Sequence, residues 1–394
     1  MIPTFTFART PRISFGAGTA SEIPGLAESI GKRVLLVTGG NSFPASNHWT
    51  ALAAAFQERS LTWYHISVKG EPSPELVDSA VSEYRPKNIK TVVAIGGGSV
   101  IDAGKAISAM LMQTGSVFDY LEGVGTGKKH DGRKVPFIAV PTTAGTGSEA
   151  TKNAVLSRVG PQGFKKSLRH DNFMPDYAVV DPELSLSCPA DITASCGMDA
   201  FTQLLESYVS PKSTPLTDSL ALSGMEQVSG HLITVCTSGA SDLTDRTAMA
   251  YSSLLSGITL ANTGLGIVHG LASTIGGMYT IPHGVICGVL LGPATRVTIE
   301  ALLKLGPAGD ESLKKYSRIG FLLSGGPENG VNRGCALLVE KLEAWTKTLK
   351  LPLLSDYGIK TEDIETIAAK TGSGNNPVKL GCEEIREILR KVIT

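Results

Sequence analysis

The chain has 394 residues, 42% of them hydrophobic and 18% charged, with 36 Lys and Arg balanced by 36 Asp and Glu. That length exceeds the ~250–300 residues at which one core stops growing, so about two domains are expected, and the composition excludes a disordered chain. The neutral balance leaves no electrostatic footprint for nucleic acid or an anionic membrane surface, and no apolar run reaches the roughly 18–20 residues that span a bilayer, so a small-molecule site in a soluble protein is the expectation.

The N-terminal stretch MIPTFTFARTPRISFGAG lacks the basic region, apolar core and cleavage site of a secretory signal, which points to the cytoplasm. VLLVT (34–38), WYHISV (63–68), KTVVAIG (90–96), PFIAVP (136–141) and YAVVD (177–181) are short and rich in Val and Ile, as strands buried in a parallel sheet should be. SPELVDSAVSEY (73–84) and VIDAGKAISAMLM (100–112) carry helical spacing between them. Residues 1–187 therefore read as an α/β nucleotide-binding domain with a parallel sheet. From about Pro189 the strands stop, and ITASCGMDAFTQLLESYV, TDSLALSGMEQVSGHLITVC, DRTAMAYSSLLSGITLA and CEEIREILRKVI read as helices, so 188–394 is expected to be an all-α domain. PKSTP (211–215) reads as a helix-connecting loop. The six cysteines are scattered without a CxxC pair, which fits neither a disulfide framework nor a zinc ribbon, and most are expected to be buried thiols.

Two glycine-rich turns follow predicted strands. In VVAIGGGSVIDAGKA, Gly96 to Ser99 stand between a strand and a helix, where bare backbone N–H groups can meet a phosphate; by spacing alone, a tight structural turn explains them as well. PTTAGTGSEAT (141–151) repeats the pattern with four hydroxyls ahead of Glu149, and two such strand ends in one sheet suggest a dinucleotide at its carboxyl edge. GVGTGKK (123–129) imitates a phosphate-binding loop, but its glycines are misspaced and Lys129 stands where Ser or Thr is required, so it reads as a solvated loop.

The helix GMDAFTQLLESYVS puts Asp199 and Gln203 one turn apart on one face. GIVHGLASTIGGMYTIPHGV holds His269 and His283, two of only seven histidines, in an apolar setting. A histidine there is commonly a satisfied core group; two of them with Asp199 also supply N and O donors suited to a divalent cation.

Taken in order, FGAGTASEI, GGGSVIDAGKA, PTTAGTGSEAT, VVDPELSL, GMDAFTQLLE, VHGLA, PHGV and NNP resemble the iron-containing, or group III, alcohol dehydrogenases across nearly the whole chain. The resemblance implies an NAD(P)-dependent oxidoreductase that interconverts a primary alcohol and its aldehyde with a divalent metal. It also implies a metal and substrate cleft between the domains and a homodimer or larger assembly. Carried over, it assigns the pyrophosphate to Gly97, Gly98 and Ser99 with Asp102 at the following helix start, the path of the cofactor to Thr142, Thr143 and Thr146, and a cofactor contact to Lys165, next to Lys166. Asp199, His269 and His283 match three of the family's four ligands. Two positions depart: Gln203 replaces the second ligand, in DAFTQ for DALTH, and Ser273 replaces a histidine near the nicotinamide, in VHGLAS for VHGMAH. Gln203 leaves open Fe²⁺ or Zn²⁺ on three ligands with Gln203 weak or displaced, another metal, or none. Ser273 can shuttle a proton but cannot serve as a base near neutral pH. After VLLVT, the turn Gly39, Gly40, Asn41, Ser42 lacks the carboxylate that repels a 2′-phosphate, which implies that NADP is tolerated alongside NAD. The competing expectations are a metal-independent reductase of an oxo-acid or aldehyde and a cofactor-binding protein without turnover.

Overall fold

The computed structural model describes residues 4–393. By its contacts the described chain divides into two compact units, one of residues 8–158 and 163–188, the other of 4–7, 159–162 and 189–393.

The first unit is built on β1 (Arg12–Phe15), β2 (Arg33–Gly39), β3 (Thr62–Val68), β4 (Thr91–Gly96), β5 (Phe137–Pro141) and β8 (Tyr177–Val180), all parallel in the order β1-β8-β5-β4-β2-β3. The helices α1 (Ile23–Ile30), α2 (Asn47–Glu58), α3 (Pro74–Tyr84) and α4 (Gly98–Met110) connect these strands. Side chains alternate between faces along a strand, so Val92 and Ala94 of β4 join one core and Val93 and Ile95 the other. Burial on both sides is why β4 and β5 read as continuous apolar runs. The five strands expected from the sequence form within a residue or so of their predicted ends. β1 was not among them: its RISF is four residues long and lies at the sheet edge, half in solvent, so it carries no apolar run. Also unforeseen is the antiparallel hairpin of β6 (Asn153–Arg158) and β7 (Phe164–Arg169). Residues 123–129 form neither helix nor strand, and Lys128 pairs with Asp119 at 3.0 Å, as expected of a solvated loop.

The connections give the sheet a direction. From β2 the chain moves outward to β3, then returns across β2 to β4 and continues the other way to β5 and β8. The order therefore reverses between β2 and β4, and in an open parallel sheet the crevice at the carboxyl ends of such strands takes ligands.

The second unit is helical: α5 (Ala190–Val209), α6 (Pro215–Val235), α7 (Leu243–Thr263), α8 (Ile267–Met278), α9 (His283–Lys304), α10 (Asp310–Ser324), α11 (Val331–Thr348), α12 (Ile364–Lys370) and α13 (Cys382–Ile393). α5 packs on α6, α7 and α9 and is buried on nearly every side, with Phe201 edge-on to Trp345 of α11. By length and composition alone α9 could cross a membrane, but most of its apolar window is buried inside the fold, as in a core helix. The cysteines differ from expectation: Cys287 and Cys335 are buried, Cys188, Cys196 and Cys236 are half-buried, and Cys382 is exposed.

Candidate functional site

Three helices of the second unit deliver the candidate ligands. α5 presents Asp199, Gln203 and Glu206 at i, i+4 and i+7, hence on one face. α8 carries His269 in its first turn, and α9 begins at His283. The start of α9 lies directly on the backbone of α5, because a Cβ at Gly284 would overlap the carbonyl of Ser195. The start of α8 is held from the C-terminal NNP segment, where Asn375 donates its N–H to the carbonyl of Leu265 at 2.8 Å.

These placements bring Asp199, His269 and His283 together, and with them Cys287, one turn beyond His283. One ligand atom from each lies within 4.8 Å of all the others. Asp199 Oδ1 is 3.3 Å from His269 Nε2 and 3.9 Å from His283 Nε2, and Cys287 Sγ is 3.7 Å from each of those nitrogens. Bonds of about 2.0–2.3 Å to a tetrahedral cation leave neighbouring N, O and S donors roughly 3.3–3.8 Å apart. The donor set thus fits a divalent cation in both spacing and type.

Glu206, which the sequence reading passed over, stands behind this cluster. Its carboxylate accepts from the N–H groups of Gly266 and Val268 at 2.9 and 2.7 Å, at the N-terminus of α8, and from His269 Nδ1 at 2.7 Å. A carboxylate only accepts, so Nδ1 carries the proton and Nε2 is turned towards Asp199. A histidine pinned from behind in this way is the usual setting of a metal-bound imidazole. The available signal was positional: Glu206 is two turns from Asp199 on the same face. Burial alone would raise the Asp199 carboxyl, but His283 and His269 hold it down to about 2. Burial pushes the Cys287 thiol up to about 12. Gln203 is buried, and its carboxamide oxygen accepts from Ser256 of α7 at 3.3 Å. Ser273 is half-buried on α8, one turn after His269.

The candidate cofactor residues belong to the first unit. Gly39 ends β2 and Gly40 leads on to exposed Ser42, while Gly97, Gly98 and Ser99 open α4 directly after β4. No side chain caps α4 at Gly97, which leaves its first turn open to an anion. β4 and β5 are neighbours, so Thr142, Thr143 and Thr146 adjoin this turn. A Cβ on Gly98 would stand 2.7 Å from Thr146, and one on Gly97 3.3 Å from Thr143 Oγ1. The backbone is therefore bare where the two turns meet.

Two of the expected contact residues have partners within the protein. Lys165 lies on β7, where it pairs with Glu71 at 3.1 Å. The Asp102 carboxylate accepts from Ser148 Oγ and from the Val155 N–H, which ties the start of α4 to the second turn. Lys105, fully buried one turn on, donates to Ser148 O, Thr151 Oγ1 and Asn153 O at 2.8–2.9 Å. Glu149 is buried beneath the same loop with Oε1 lacking a hydrogen-bond partner, and burial raises its carboxyl from 4.5 to about 7. Between those values the folded chain holds a proton that the unfolded chain has lost, so Glu149 makes stability fall as pH rises through that window. Glu149→Gln is expected to leave thermal stability nearly unchanged at pH 5 and to raise it at pH 8 by about 2 kcal/mol. Melting curves at both pH values check this, and an equal change at both would contradict the assignment.

Comparison with known proteins places these features in context. A family model described as iron-containing alcohol dehydrogenase matches residues 10–182, and one described as the C-terminal part of the Fe-containing alcohol dehydrogenase family matches 193–393. The NAD-dependent methanol dehydrogenase of Bacillus methanolicus is 31% identical over 97% of this chain and 98% of its own length. The NADPH-dependent butanol dehydrogenase of Clostridium saccharobutylicum is 30% identical over 98% of this chain and 97% of its own. A crystal structure of a 1,3-propanediol oxidoreductase superposes with a TM-score of 0.88 at 28% identity, covering 99% of this chain and all of that one.

Proposed function

The chain belongs to the iron-containing alcohol dehydrogenase family, and as a member it is an NAD(P)-dependent oxidoreductase that interconverts a primary alcohol and its aldehyde by hydride transfer; we propose that Asp199, His269 and His283 hold the divalent cation of that reaction. The observation that carries this reading is the convergence of a carboxylate and two Nε2 atoms, one imidazole being oriented by Glu206. When bound, the cation polarises the substrate oxygen as a Lewis acid while the nicotinamide gives or takes the hydride. The chain's own residues then have distinct tasks. The buried Asp199 carboxylate supplies negative charge, Glu206 fixes the tautomer of His269, and the Ser273 hydroxyl passes a proton without retaining it. Gly97, Gly98 and Ser99 present backbone N–H groups to the pyrophosphate, beside Thr142, Thr143 and Thr146. In this reading residues 1–187 bind the cofactor, 188–394 bind the cation, and the protein works in the cytoplasm as a homodimer or larger assembly.

The test is aldehyde-dependent oxidation of NADH or NADPH after chelation, with and without added Fe²⁺, Zn²⁺ or Mn²⁺. Loss on stripping and return on addition is the expected result. Full activity in the stripped enzyme would leave a metal-independent reductase.

NADP is proposed to be accepted at the turn after β2. No carboxylate stands at 39–42, and a Cβ on Gly40 would lie 3.6 Å from Lys69 Cγ in ordinary contact, which places a lysine beside the turn. Gly40→Asp would add a negative charge without a clash. Like charges about 4 Å apart repel by ~1 kcal/mol in water and more near a protein surface, so NADPH should weaken about tenfold relative to NADH. The ratio of the two dissociation constants measures this, and an unchanged ratio would place the 2′-phosphate elsewhere.

A further inference from the structure

Gln203 leaves the cation one imidazole short of the set that the resemblance implies, and a neutral carboxamide is a poor substitute for it on iron or zinc. Its oxygen already accepts from Ser256. The fourth donor in the cluster is a sulfur. Cys287 is fully buried, its Sγ is 3.7 Å from both His269 Nε2 and His283 Nε2, and it follows His283 by one turn of α9, so a single rigid helix delivers both. We propose that the Cys287 thiolate is a ligand of the cation, giving an Asp, His, His, Cys set in which sulfur takes the place of the missing imidazole. The proposal rests on Asp199, His269 and His283 being the cation site.

On coordination the thiol proton leaves to solvent and the S–metal bond forms, with no change of oxidation state. Carboxylate and thiolate together then balance the two positive charges of the cation. Thiolate is a soft donor that favours zinc, whereas an oxygen and nitrogen set suits iron(II) as well. The centre is therefore zinc-selecting, and the amide at 203 is tolerated because sulfur compensates for it.

Full-length protein loaded with Co²⁺ provides the test, since cobalt reports a bound thiolate as a charge-transfer absorption in the near ultraviolet. The wild-type protein is expected to show that band. Cys287→Ser, nearly isosteric, should still take up Co²⁺ but lose the band and bind Zn²⁺ more than about 100-fold more weakly, beyond the 10–100-fold that loss of an outer partner costs. Gln203→Ala should keep the band and stay within about threefold in zinc affinity. A Co²⁺-loaded wild type without the band overturns the proposal whether or not the variant folds, and so does a Cys287→Ser protein with unchanged band and affinity. A wild type that binds neither Co²⁺ nor Zn²⁺ removes the cation site itself, and the proposal with it.

Discussion

Asp199→Asn is expected to lower kcat/KM for aldehyde reduction by roughly 10³-fold or more, because a Lewis acid contributes several kcal/mol to such a transition state and each 1.36 kcal/mol is a factor of ten. The substitution keeps the shape of a residue buried in α5 and removes only its charge. What remains facing the cation is Cys287 and the two imidazoles, whose Nε2 atoms lie 3.3 and 3.9 Å from Asp199 Oδ1. Kinetics should be measured together with metal content and the affinity for NADPH. The expected pattern is lost metal, lost turnover and an unchanged cofactor constant, since the glycine turns belong to the other compact unit. A variant that keeps both metal and turnover would remove Asp199 from the centre.

The second large effect is expected from a residue that holds a proposed ligand without binding the cation itself. Glu206→Gln should weaken Zn²⁺ by about 10–100-fold, the usual cost of losing the partner behind a metal-bound histidine. The amide retains one acceptor for the first turn of α8 but replaces a charge-assisted bond to His269 Nδ1 with a neutral one. A competition titration of zinc, paired with melting curves of the stripped protein, separates two roles. If Glu206 serves only to cap α8, the stripped protein melts lower while zinc affinity of the folded protein stays the same. The positioning role predicts the reverse emphasis.

Legibility in the sequence followed physical visibility. β4 and β5 were readable because burial on both faces makes every position apolar, whereas β1 lies half in solvent and the hairpin β6–β7 buries only scattered positions such as Ala154, Leu156 and Leu168 between polar ones, so neither leaves a run to find. Asp199, His269 and His283 were identified through their motifs and prove to lie in one cluster. Cys287 and Glu206 were not singled out, although each is a whole number of helical turns from an identified residue. A buried cysteine and a glutamate inside a helix carry no mark of their own, and only the meeting of α5, α8 and α9 gives them one. Lys165 and Asp102 show the converse. Their places in the sequence suggest a ligand, while the folded chain gives their charges to Glu71 and to the loop 148–155.

Gly284 sets how these donors can vary. Because the first turn of α9 rests on the Ser195 carbonyl with no side chain between them, the distance from that helix to α5 is set by main chain against main chain. His283 and Cys287 ride on the same helix and so move as a pair. The spacing of the two helices that carry Asp199, His283 and Cys287 is consequently a property of the scaffold, within which side-chain rotamers make the finer adjustment. A lineage adapting this site to an ion of another radius would have to change the helix spacing first and the ligands second.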